Sequence, residues 1–128
     1  MNEVWKKCPR GDAAGRWARP YVTMNKRGYI VMSRKTFENI KEPEAVCLYF
    51  DPVNSRIGIE PARPGVEDAY PVAKQGRHGG RLIRAHRLMV EFGIEIADTI
   101  KFVDITQNPE GMLVFDLRTA QARQKASR

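Results

Sequence analysis

The sequence predicts an α+β fold, with short antiparallel strands and two short helices built from two related units that fold against each other. Three observations point to it. Residues 21–61 and 70–117 share one plan: a short apolar-polar run, a glycine turn, a second run, an amphipathic segment, and a closing pair of strand-like runs. Charge is segregated in the same way in both. Residues 13–37 hold six Lys/Arg and no carboxylate, and 69–90 hold five with both histidines and no carboxylate. Residues 38–68 hold seven carboxylates against three bases, and 91–117 hold six against one. Finally, each unit of roughly 45 residues is too small to bury a good core alone, so the two must share one.

Elements follow in order. Residues 1–20 form a basic arm without periodicity, in which Trp5 and Trp17 either dock on the body or stack on a partner. In the first unit, Tyr21-Val22-Thr23-Met24 alternates as a strand. Lys26-Arg27-Gly28 supplies a turn, and Tyr29 to Met32 is the return strand. Ser33 is placed to cap a helix over Arg34 to Ile40, with Phe37 and Ile40 on one face and Pro43 beyond its end. Val46, Leu48 and Phe50 share one strand face, Asp51 to Ser55 is a hairpin loop, and Arg56 to Glu60 returns.

Residues 62–69, with a proline and a glycine, read as the linker. The second unit repeats the order, with two extra residues expected in its first turn, Gly76-Arg77-His78-Gly79-Gly80. Leu88, Met89 and Phe92 mark the helix face, Ile100 and Phe102 a third strand, and Asn108 to Gly111 a turn before Met112 to Phe115. Residues 118–128 form a basic tail, starting as a short helix over Thr119 to Arg123. The expected core is Phe37, Ile40, Val46, Leu48, Phe50, Ile57, Ile59, Met89, Phe92, Ile100, Phe102, Leu113 and Phe115.

A net charge of +7 and a pI near 9.7 speak of partners, and favour nucleic acid over an anionic membrane. No apolar run approaches the roughly 20 residues of a membrane span, and no secretory h-region opens the chain. A cytoplasmic protein is expected, with Cys8 and Cys47 as thiols. Chemistry finds little support. There is no P-loop, no Gly-x-Ser-x-Gly, no His-Glu-x-x-His and no Cys-x-x-Cys. The carboxylates lie apart in sequence from the histidines, so a metal-dependent nuclease is not suggested. The expectation is a protein that is not an enzyme, with no cofactor, no metal and no catalytic residue.

The run Val22-Thr23-Met24-Asn25-Lys26-Arg27-Gly28-Tyr29-Ile30-Val31-Met32-Ser33, followed by Leu48-Tyr49-Phe50 and Arg56-Ile57-Gly58-Ile59, resembles the AbrB-type swapped-hairpin DNA-binding domain. Two copies in one chain are similar to the arrangement in MraZ-like proteins. The resemblance implies two pseudo-symmetric swapped-hairpin units in one compact, barrel-like body. It also implies a β-surface from the first strands of both units, presented to double-stranded DNA in transcriptional control.

The residues expected at that surface are Lys26, Arg27, Arg34 and Lys35 from the first unit, and Lys74, Arg77, His78, Arg81, Arg84 and Arg87 from the second. Basic side chains at hairpin tips reach phosphates, and arginine also reads guanine. Two other readings stand beside this one: an antitoxin-like module that binds a protein, and an RNA binder. Self-association is compatible with each.

Overall fold

The computed structural model describes residues 4–8 and 19–122. The first unit supplies β1 (Val22–Met24), β2 (Tyr29–Met32), α1 (Arg34–Asn39), β3 (Ala45–Asp51) and β4 (Arg56–Ala62). The second supplies β5 (Tyr70–Pro71), β6 (Ala73–Gln75), β7 (Gly80–Arg84), α2 (His86–Phe92), β8 (Ile100–Phe102), β9 (Ile105–Gln107) and β10 (Leu113–Asp116). A single 3-10 turn, Leu117–Thr119, and β11 (Gln121–Ala122) follow.

The strands make two antiparallel sheets, a six-stranded one in the order β11-β8-β1-β2-β7-β6 and a five-stranded one in the order β5-β3-β4-β10-β9. The fold is therefore α+β with few helices. Among the described residues the sheets do not close into a barrel. Each sheet contains an interior pair drawn from both units: β2 with β7, Ile30 opposite Ile83, and β4 with β10, Ile57 opposite Phe115. The units also exchange edges. β8 of the second pairs with β1 of the first, and β5 pairs with the start of β3. Neither unit could keep these ladders alone.

Alternation decides which side chains go inward. Val22, Met24, Ile30, Met32, Ile83 and Phe102 from the six-stranded sheet meet Val46, Ile57, Ile59, Leu113 and Phe115 from the five-stranded one, all buried. Phe102 and Phe115 touch across the core, ring centroids 4.7 Å apart. The helices close its ends with Phe37, Ile40, Leu88 and Met89.

Four expectations are corrected. Phe92 is 46% exposed, because α2 ends there and its inward stripe is Leu88 and Met89; Gly93 follows in the left-handed conformation. Phe50 is half-buried and lies 5.2 Å from Phe92, ring to ring, at the margin of the core, where Leu48 and Ile100 also pack. The two glycine turns each hold four residues between their strands, 25–28 and 76–79, so the second carries no extra length. The expected helix at 119–123 is absent. Asp116 instead caps the 3-10 turn through the Arg118 amide at 2.8 Å, and the chain then joins the open edge of β8, where a strand satisfies its backbone groups. The sheet thereby takes in residues 121–122, which the sequence assigned to a tail. In the N-terminal arm Trp5 is exposed, and Trp17 lies outside the described residues.

Candidate nucleic-acid interface

The first turn is fixed by its own asparagine. Asn25 Oδ1 accepts hydrogen bonds from the Arg27 and Tyr29 amides, both at 3.0 Å, and the Asn25 carbonyl accepts from the Gly28 amide at 2.9 Å. Lys26 and Arg27 stand exposed on this frame. Gly28 has φ +82° and lies so close to α2 that an added Cβ would sit 2.8 Å from His86 Cα and from Met89 Sδ. Its carbonyl accepts from the Ala85 amide at 2.8 Å. The first unit's turn is thereby seated on the start of the second unit's helix.

The converse contact is also present. Gly79, in the second turn, packs on the aliphatic stem of Arg34, the first residue of α1. Arg77 and His78 are exposed beside it. Two cationic groups result, each assembled from both units. One joins Lys26 and Arg27 to the start of α2 with His86 and Arg87; the other joins Arg77 and His78 to Arg34 and Lys35. Residues far apart in the chain are neighbours here because the units interlock.

The start of α1 is held firmly. Ser33 Oγ caps the helix by accepting from the Thr36 amide at 3.3 Å, and lies 2.9 Å from Thr36 Oγ1. The Tyr21 amide donates to both hydroxyl oxygens, at 3.0 and 2.9 Å, and Thr36 Oγ1 donates to the Tyr21 carbonyl at 2.9 Å. Ser33 and Thr36 are buried, so this network pins the strand leading into β1 to the helix. The corresponding cap of α2 is Ala85, which offers no side-chain bond.

The other expected residues fall into different situations. Arg81 is half-buried: its Nη1 donates to the Gly79 and Gly80 carbonyls at 2.9 and 3.0 Å, and its guanidinium lies 4.4 Å from the Phe37 ring centroid. It holds the second turn against α1. Arg84 is exposed beside Tyr29, 6.0 Å from the ring centroid. Lys74 is exposed on β6, the last strand of its sheet. Arg34 and Arg87 each pair with a glutamate one helical turn on, Glu38 at 3.1 Å and Glu91 at 2.9 Å. Such exposed pairs contribute only a few tenths of a kcal/mol, about 0.3–0.5, and yield readily to a phosphate.

Residues directly opposite in a ladder share a face. The side of the six-stranded sheet opposite the main core therefore carries Lys101, Thr23, Val31, Leu82 and Ala73 in one row, Leu82 buried and the others half-buried, with Tyr29 and the exposed Arg84 beside it. No carboxylate stands in that set. Lys101 is a residue sequence reasoning missed. It is the one base in an otherwise acidic stretch, and only the pairing of β8 with β1 brings it over Tyr21, Nζ 4.6 Å from the ring centroid.

The solvent side of the five-stranded sheet is different. Asp51 pairs with Arg56 at 2.8 Å, Asp116 with Arg118 at 2.7 Å, and the Tyr49 hydroxyl donates to Glu60 at 2.9 Å. Hydrogen bonds from Asn54 first, then Arg56, hold the Asp51 carboxyl well below the usual carboxylate range, and Arg118 lowers Asp116. The hydrogen bond to Glu60 raises the Tyr49 phenol. A shallow cavity of about 270 Å³ opens here between Tyr49, Arg56, Thr106 and Met112.

Among the described residues no three His, Cys, Asp or Glu side chains converge to hold a metal ion, and no helix is long and apolar enough to cross a membrane. Comparison of the chain with protein-family models, with curated proteins and with solved structures finds no match.

Proposed function

We propose that the chain is a double-stranded DNA-binding protein, acting in transcriptional control through a basic β-surface to which both units contribute. On this reading it is a tandem swapped-hairpin protein of the AbrB type, with two pseudo-symmetric units in place of two subunits. The observation that carries the proposal is the crosswise seating of each cationic turn on the other unit's helix, through Gly28 and Gly79. It gathers bases that the sequence scatters, at the ends of a sheet face whose paired residues include no carboxylate.

Lysine and arginine at such positions neutralise phosphates and release condensed counterions, so affinity falls steeply with salt. Arg81 acts as a positioning residue for the second turn, and Lys101 joins the surface from β8, with β1 and β2 between it and the strand that carries Arg84. The test is a titration of random-sequence duplex and of the matching single strand at several salt concentrations. The expected result is tighter binding to duplex, with log K falling linearly with log salt at a slope near −0.9 per phosphate engaged. Preference for the single strand would favour RNA or another single-stranded partner, and absence of binding at low salt would favour a protein partner.

A further inference from the structure

The two cationic groups are not equivalent, and we infer that they divide the work: the first turn, with the neighbouring loop 97–99, reads base edges, while the second turn and the start of α1 hold phosphates. This rests on the duplex-binding reading and makes the bound site asymmetric, not palindromic.

The first turn adjoins an open cleft of about 240 Å³ lined by Asn25, Lys26, Arg27, Ala97, Asp98 and Thr99. Its chemistry is mixed. Lys26 and Arg27 donate, Asp98 accepts, Thr99 can do either, and Asn25, whose Oδ1 is taken by the turn's own amides, keeps its side-chain NH2 to donate. A cleft built only for phosphate gains nothing from an aspartate, whose charge repels the backbone. Base edges, however, present donors as well as acceptors: an arginine fits guanine O6 and N7, and a carboxylate accepts from cytosine N4. Reading a base also requires a fixed frame. The first turn has one, in the Asn25 bonds to the Arg27 and Tyr29 amides and in the backing of Gly28 against α2.

The second group is built otherwise. Arg77 and His78 stand between Gly76 and Gly79, both at positive φ, with open space around Gly76. Their hairpin includes β6, which pairs with β7 alone. Across from them stand Arg34 and Lys35 on α1, where Arg34 pairs with Glu38 one helical turn on. Arg81 and Arg34 hold this turn at Gly79, but its exposed tip offers Arg77 and His78 with no carboxylate beside them in the turn. Such a cation-rich group suits phosphates, whose contacts set position without requiring sequence.

The experiment selects bound fragments from a random duplex library with the full chain and with three variants, Arg27→Ala, Asp98→Asn and Arg77→Ala. The full chain should yield a short non-palindromic motif. Asp98→Asn should weaken discrimination within that motif about fivefold or more while binding random duplex at least as tightly, because a negative charge has been removed. A merely structural role for Asp98 would not produce that split. Arg27→Ala should degrade the motif, whereas Arg77→Ala should keep it and lower affinity for all sequences, with the salt slope reduced by about one. A palindromic motif, a motif unchanged in Arg27→Ala and Asp98→Asn, or one altered only by Arg77→Ala would overturn the division of labour. Duplex binding without any sequence preference would overturn it while leaving the proposed function standing. Absence of duplex binding by the full chain would overturn both.

Discussion

Replacing Gly28 by alanine tests whether the first turn is seated on α2, on which both the fold and the interface depend. The perturbation has two parts. At φ +82° an L-residue occupies left-handed backbone, which costs about 1–2 kcal/mol. The new methyl would also lie 2.8 Å from His86 Cα, a backbone atom that cannot swing aside, and overpacking of this kind costs about 1–3 kcal/mol. The expected loss is therefore roughly 2–5 kcal/mol, a large part of the 5–15 kcal/mol available to a small domain. Gly76→Ala is the control. It has φ +73° with nothing within 4 Å, so it carries the backbone part alone, about 1–2 kcal/mol. Thermal and urea melts of both variants give the comparison. Equal destabilisation would refute the seating of the turn on the helix, because the packing part would then be zero.

Other predictions concern the core, the helix cap and acid. Phe102→Ala, at a fully buried site, should cost about 3–5 kcal/mol, and Phe92→Ala, nearly half exposed, should cost less than half as much in the same urea melts. Ser33→Ala removes a cap and one member of the buried Tyr21–Thr36 network, so a loss of about 1–2 kcal/mol is expected from denaturant melts. Asp51 and Asp116 are held below their unfolded pKa. Their contribution to stability is therefore complete above the unfolded value, near about 4, and is lost as pH falls through the depressed folded values. Asp51→Asn should lower stability near neutrality and flatten that acid limb; an acid limb as steep as the parent's would show that the Asp51 bonds do not form in solution.

Much of the fold was legible because period and punctuation agree. Val22 and Met24 alternate into a strand, Gly28 marks a turn, Ser33 marks a helix start, and each appears where its local chemistry puts it. What the sequence concealed was set by pairing between distant segments. The single strand expected around Ile100 and Phe102 is two, β8 and β9, one in each sheet, and the opening run of the second unit likewise splits into β5 and β6. Residues 121–122 pair because β8 leaves an edge open, which no local pattern signals.

The candidate site divides in the same way. Exposure of Lys26, Arg27, Arg77 and His78 follows from their place in glycine turns. That Arg81 turns inward onto Phe37, and that Lys101 emerges from an acidic stretch beside β1, depends on register across units. Charge segregation along the chain anticipates the separation of a carboxylate-free sheet face from one laced with acidic pairs, though not which bases it would exclude.

Binding of duplex by the Arg27→Ala/Arg77→Ala double variant, measured over a range of salt concentrations with the fold verified by melting, tests the central claim most directly. If each arginine engages the nucleic acid from its own turn, each single variant weakens binding, the double variant weakens it further, and the salt slope falls by about one for each lost phosphate contact. An intact double variant with the affinity and slope of the parent would remove both turns from the interface and contradict the account.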